Sequence, residues 1–135
     1  LRRLKRKYGY MHNASFGVAA GHGTSYGIRF NDTPEQKNRL QTKDLTDPRM
    51  DKTNEFFEDG ATLILFSCKT GTSKGLAQEL SKTTGLKLIA PDKETNISSI
   101  NAMIKNGKLD FNVHYRDEQS TRIYAEGEEQ AKQNY

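Results

Sequence analysis

The stretch Ala61-Thr62-Leu63-Ile64-Leu65-Phe66 decides how the fold is read. It is the most continuous apolar run in the chain, shorter than a helix needs, and bounded by Gly60 and the glycine-bearing Ser67 to Gly71. A run of this kind suits a central strand covered on both faces. On its C-terminal side, Ser73 to Thr83 puts Leu76, Ala77 and Leu80 on one helical face and stops at Thr84-Gly85. Leu86 to Pro91 then reads as another strand. Strand, helix and strand in that order predict a right-handed crossover and parallel pairing.

On the N-terminal side, Ala14 to Ala20 is a short apolar run closed by Gly21, again a buried strand. The glycine-punctuated Gly21 to Gly27 follows as a turn, then a short strand Ile28-Arg29-Phe30. Thr33 with Pro34 and Glu35 resembles a helix start reaching about Thr42. A second helix is expected from Asp47-Pro48 to Gly60, with Met50, Thr53, Phe56 and Phe57 as its stripe. Near the end, Leu109 to His114 and Thr121 to Glu126 alternate around Arg116 to Ser120 and predict a C-terminal β-hairpin. The expected architecture is α/β: a small three-layer sandwich with a mainly parallel central sheet and that hairpin.

The 135 residues correspond to one domain, and only 33% of them are hydrophobic, so the core must come from these few dense segments. No apolar run approaches the roughly 20 residues of a bilayer span, and no membrane partner is expected. The net charge of +4 is local. Arg2, Arg3, Lys5, Arg6 and Lys7 carry five positive charges, so the remainder is close to neutral. That block reads as a solvated segment over 1–13, ahead of an α/β domain over 14–126 and a polar tail over 127–135. Nucleic acid is not an expected partner, because His114-Tyr115-Arg116 reads as one strand of a solvent-facing hairpin. The start at Leu1 rather than Met suggests a fragment cut from a longer protein or a processed product.

Cys68 is the single cysteine, which excludes an internal disulfide and a multi-thiolate metal site. It stands just past the carboxyl end of one predicted parallel strand, and His22 stands just past the carboxyl end of another. Sites in open α/β sheets form along that edge. A thiolate nucleophile needs an imidazole to accept and return its proton, and amide donors for the oxyanion. His22 and Cys68 supply the first pair; the amides of Gly23 and Cys68 are the candidate oxyanion hole. A free Cys is more often a small buried apolar residue, and a turn His is more often bonded to backbone. Their shared address at two strand ends favours chemistry.

The segment Phe16-Gly-Val-Ala-Ala-Gly-His22-Gly23, followed by Leu63-Ile-Leu-Phe-Ser-Cys68-Lys-Thr-Gly71, resembles the caspase and gingipain-like clan of cysteine peptidases. The stretch from Ser67 through Leu76-Ala77-Gln78-Glu79-Leu80 to Ile89-Ala90-Pro91 is similar to bacterial members found in large surface and polymorphic-toxin proteins. The resemblance implies a thiol-dependent endopeptidase, with His22 as general acid and base, Cys68 as nucleophile and Gly23 as an oxyanion donor. It implies no metal or organic cofactor. It also implies a protein or peptide substrate, the parent chain included, an immunity or inhibitor protein as partner, and action as a toxin effector or autoprocessing module. The expected setting is a reducing cytoplasm reached as part of a larger secreted protein. Asp32 and Asp92 are candidate contacts for a basic substrate residue, Arg29 and Lys93 for an acidic one, with nothing to choose between them.

Two other classes compete. Cys68 to Lys74 also resembles the phosphate loop of Cys-dependent phosphatases, although Lys74 stands where Arg is usual and Ser67 replaces a His. That reading gives His22-Gly23 no role. A peptidase-like interaction domain without catalysis is the third reading, and it predicts that Cys68→Ala leaves the biological effect intact.

Overall fold

The computed structural model describes residues 13–30, 39–48, 50 and 56–131. The architecture is strand-rich and differs from the expected three-layer sandwich. Among the described residues there are ten strands and one α-helix: β1 Ala14–Ala20, β2 His22–Thr24, β3 Gly27–Arg29, β4 Arg39–Gln41, β5 Phe57–Phe66, α1 Leu76–Thr84, β6 Lys87–Pro91, β7 Ile97–Lys105, β8 Lys108–Tyr115, β9 Thr121–Ala125 and β10 Glu128–Gln130. They form a five-stranded sheet ordered β1-β5-β6-β9-β10, a three-stranded sheet β2-β3-β4 and the two-stranded β7-β8.

The five-stranded sheet is mixed. β1 and β6 flank β5 in parallel, whereas β9 runs antiparallel to β6 and β10 antiparallel to β9. The run Ala61 to Phe66 thus lies in the middle of the parallel part. Among the described residues α1 makes the one helical crossover; its C-cap is Gly85 at φ 74, whose N–H bonds the Ser81 carbonyl. β9 is reached differently, through a 3-10 turn at Glu118–Ser120, and so it returns in the opposite sense.

What covers the two faces explains the departure from α/β/α layering. Alternate residues along each strand point to opposite sides. Ala61, Leu65, Leu88, Ala90 and Tyr124 pack with Ala77 and Leu80 of α1. Ile64 and Ile89 point the other way and are covered by Phe111, Val113 and Tyr115 of β8. A strand pair, not a helix, seals the second face. The expected pairing of 109–114 with 121–126 does not form. β8 pairs with β7 across a turn at Asn106 (φ 53) and Gly107 (φ 77), and β9 pairs with β6 and β10.

Other expectations shift in detail. The helix read from Thr33 falls on 33–38, outside the described residues, and on 39–41, which form β4 and pair with β3. The helix read from Asp47 falls partly on 49 and 51–55, also outside them, while Phe57 to Gly60 open β5. The basic segment lies outside the described residues apart from Asn13, and Glu128 to Gln130 of the polar tail form β10.

Candidate active site

Register places the two chemical residues. β1 and β5 run parallel and in step, with Ala20 opposite Phe66. Each chain continues two residues to His22 and to Cys68. The Gly21 amide donates to the Phe66 carbonyl at 3.2 Å, so the alignment extends past the strand ends. His22 and Cys68 line one open cavity of about 610 Å³, together with Arg29, Phe30, Glu94 and Thr95. The sheet edge expected from sequence therefore brings both into one crevice. His22 is exposed and Cys68 partly so.

Gly23 sits against the same backbone. A Cβ there would collide with the Cys68 carbonyl oxygen and stand 2.8 Å from the Cys68 amide nitrogen. The residue must be glycine to let β2 close onto the end of β5, so its backbone lies against that of Cys68.

The turn that presents Cys68 is fixed from several sides. Ser67 is buried, and Thr70 is fully buried with its hydroxyl donating to the Ser67 carbonyl at 3.0 Å. Lys69 takes a left-handed conformation, φ 62, and its amide donates to the Lys93 carbonyl at 3.1 Å. Gly71 donates to the Pro91 carbonyl at 2.8 Å. The Cys68 thiol lies within donor reach of the Thr95 carbonyl, Sγ to O 3.9 Å. The thiol is thus braced by the segment after β6, a contribution from Thr95 that the sequence reading lacked; its only signal is a position just past the Pro91 strand end.

The other candidates separate. Asp92 accepts from Arg122 Nε at 2.8 Å and Lys93 lies 3.7 Å from Asp117, so both have partners within the fold. Asp32 lies outside the described residues. Tyr115, read with its neighbours as solvent-facing, is buried and donates to the Leu65 carbonyl at 2.8 Å. No three His, Cys, Asp or Glu side chains among the described residues form a group able to hold a metal ion. No helix among them is long and apolar enough to cross a membrane.

With this geometry in hand, comparison adds one relationship. The family model described as "Domain of unknown function (DUF8616)" matches residues 6–110, and the chain belongs to that family. No curated protein and no solved structure matches the chain.

Proposed function

We propose that the domain is a thiol-dependent endopeptidase with Cys68 as nucleophile and His22 as its acid–base partner. The observation that supports the reading is the in-step pairing of Ala20 with Phe66, beyond which His22 and Cys68 both line one cavity. His22 takes the thiol proton, and the Cys68 thiolate attacks the peptide carbonyl carbon. The resulting oxyanion is held by the amides of Gly23 and Cys68. The C–N bond breaks as His22 returns the proton to the leaving amine. Water then attacks the thioester with His22 as base, releasing the acid and restoring the thiol. The substrate is a protein or peptide, and the parent chain is a candidate.

The phosphatase reading fares worse on two observations. A phosphate cradle needs loop amides converging on the anion. Here the amides of Lys69, Gly71, Thr72, Lys74 and Gly75 all donate within the protein, to Lys93, Pro91, Lys69, Gln78 and Thr72. Lys74 also lines a different cavity from Cys68, with Tyr26, Thr42 and Glu79.

The test is a diverse peptide library and, separately, an aryl phosphate, each incubated with wild type, Cys68→Ala and His22→Ala in reducing buffer. Peptide cleavage is expected from wild type alone, falling to background in Cys68→Ala and by roughly a hundredfold or more in His22→Ala. Cleavage that survives Cys68→Ala, or phosphate release that depends on Cys68 without peptide cleavage, overturns the proposal.

A further inference from the structure

The five-stranded sheet ends in two edges of opposite character. At one end β10 is three residues long and exposes Glu128 and Glu129. A copy of itself laid against it would crowd carboxylate on carboxylate, a common guard on an open edge. At the other end β1 runs for seven residues without a charge or a proline, and among the described residues no strand pairs with its outer side. Sheets rarely leave a long, uncharged edge of this kind bare.

The β1 edge offers both backbone groups and apolar side chains. The Gly21 amide points inward, to the Phe66 carbonyl. Successive peptide groups of a strand point to opposite sides, so Ala19 and Gly17 also face β5, and the amides and carbonyls of Phe16 and Val18 face outward. The side chains of Phe16 and Val18 lie on the face of Ile64, which pairs with Val18. β8 covers that face at Ile64 and reaches β1 through Phe111, whose ring centroid is 4.9 Å from that of Phe16. Phe16, Val18 and Phe66 nevertheless stay exposed.

A second copy of β1 fits this edge. Laid antiparallel about Gly17, the outward groups of Phe16 meet those of the partner's Val18, and Val18 meets the partner's Phe16, one hydrogen-bonded pair on each side of a two-fold axis. The same register sets aromatic against β-branched side chain on one face, twice, and buries what the monomer exposes. No charge meets a like charge, because the segment carries none. Since the two β1 strands oppose, the crevices beyond their carboxyl ends open at opposite ends of the joined sheet and neither is covered.

We propose that the chain self-associates as a two-fold dimer through the β1 edge, joining two five-stranded sheets into one. The proposal goes beyond the peptidase reading and does not depend on it.

The experiment is sedimentation equilibrium of the full chain from about 1 µM to about 100 µM, with amide hydrogen exchange read at both ends of that range. The mass is expected to rise from one chain to two, and the Phe16 and Val18 amides to slow with concentration while those of Gly17 and Ala19, already bonded to β5, do not. Val18→Lys should weaken association at least about tenfold. Ile104→Lys, which removes a more exposed apolar side chain from the β7-β8 hairpin, should leave it unchanged, as should Cys68→Ala. A chain that stays monomeric throughout overturns the proposal, as does a dimer indifferent to Val18→Lys or lost equally in Ile104→Lys. Fast exchange of the Phe16 and Val18 amides at every concentration overturns it even if Val18→Lys fails to fold. Protection that appears only on adding a blocked, uncharged peptide of alternating Val and Thr also overturns it, and assigns the edge to a foreign strand.

Discussion

Tyr124 donates its phenolic proton to the carbonyl oxygen of Gly71 at 2.6 Å, tying the antiparallel strand β9 to the turn that presents Cys68. Both partners are buried, so removing the hydroxyl leaves a desolvated carbonyl with one bond fewer. Tyr124→Phe is expected to cost about 1–2 kcal/mol in a denaturant titration. On the proposed peptidase reading it should also slow peptide cleavage more than it weakens substrate binding, because it loosens the turn that carries Cys68. Unchanged stability would show that the bond does not brace the turn.

Gly23→Ala is the sharpest steric test. The new methyl has no room beside the Cys68 backbone, so β2 must move off the end of β5. Overpacking of this kind typically costs about 1–3 kcal/mol. Cleavage should be lost while the chain remains folded, as read by circular dichroism alongside turnover. A Gly23→Ala chain that cleaves as the parent does would remove Gly23 from the proposed oxyanion hole.

Alkaline titration reports the core. Burial pushes the phenol of Tyr115 far above its ordinary value, and burial, reinforced by Glu129 and Asp92 and opposed by Arg122, raises that of Tyr124. Below the ordinary tyrosine value, near 10, both states hold these protons and neither group changes stability with pH. Above it the unfolded chain releases them first, so stability falls as pH rises toward the raised folded values. The melting temperature should therefore drop above about pH 10, and less steeply in Tyr115→Phe once its own baseline is subtracted.

Gly107→Ala probes the hairpin that seals the second face. Asn106 and Gly107 both have positive φ, the condition for a primed two-residue turn. Alanine at such a position costs on the order of 1–2 kcal/mol. The loss should appear as a lower denaturation midpoint with an unchanged slope; a changed slope would mean that β7 and β8 had slipped or detached.

The legible parts of the fold were those with dense local signals. Ala14 to Ala20 and Ala61 to Phe66 are dense apolar runs, and α1 ends on a left-handed glycine, so each forms the element its residues suggest; but β1 stands at the end of the sheet order and is not the buried strand expected, since Phe16 and Val18 are exposed. His22 and Cys68 were legible for the same reason, as residues just past two strand ends. The second sealing layer was hidden. A register shift between Ile97 and Ser99 breaks the alternation of β7, and Ile100 and Ile104 are exposed, so its pattern is not that of a half-buried strand. The Asn106-Gly107 pair was the available signal, and it outweighs that blurred alternation. Residues 39–41 were misread because Thr33-Pro34 suits a helix start; yet Leu40 is the only large apolar residue from 33 to 42, and pairing with β3 makes them a strand.

The step-for-step pairing of β1 with β5 also sets which kinds of genetic change this domain can absorb. The relative position of His22 and Cys68 is inherited from a backbone ladder, so conservative exchanges of side chains along either strand leave it untouched. Insertion or deletion of a single residue between Phe16 and Ala20 would advance or retard His22 by one step and reverse the face of every later residue. Lineages of this domain should drift freely in strand composition while holding the length of that segment constant.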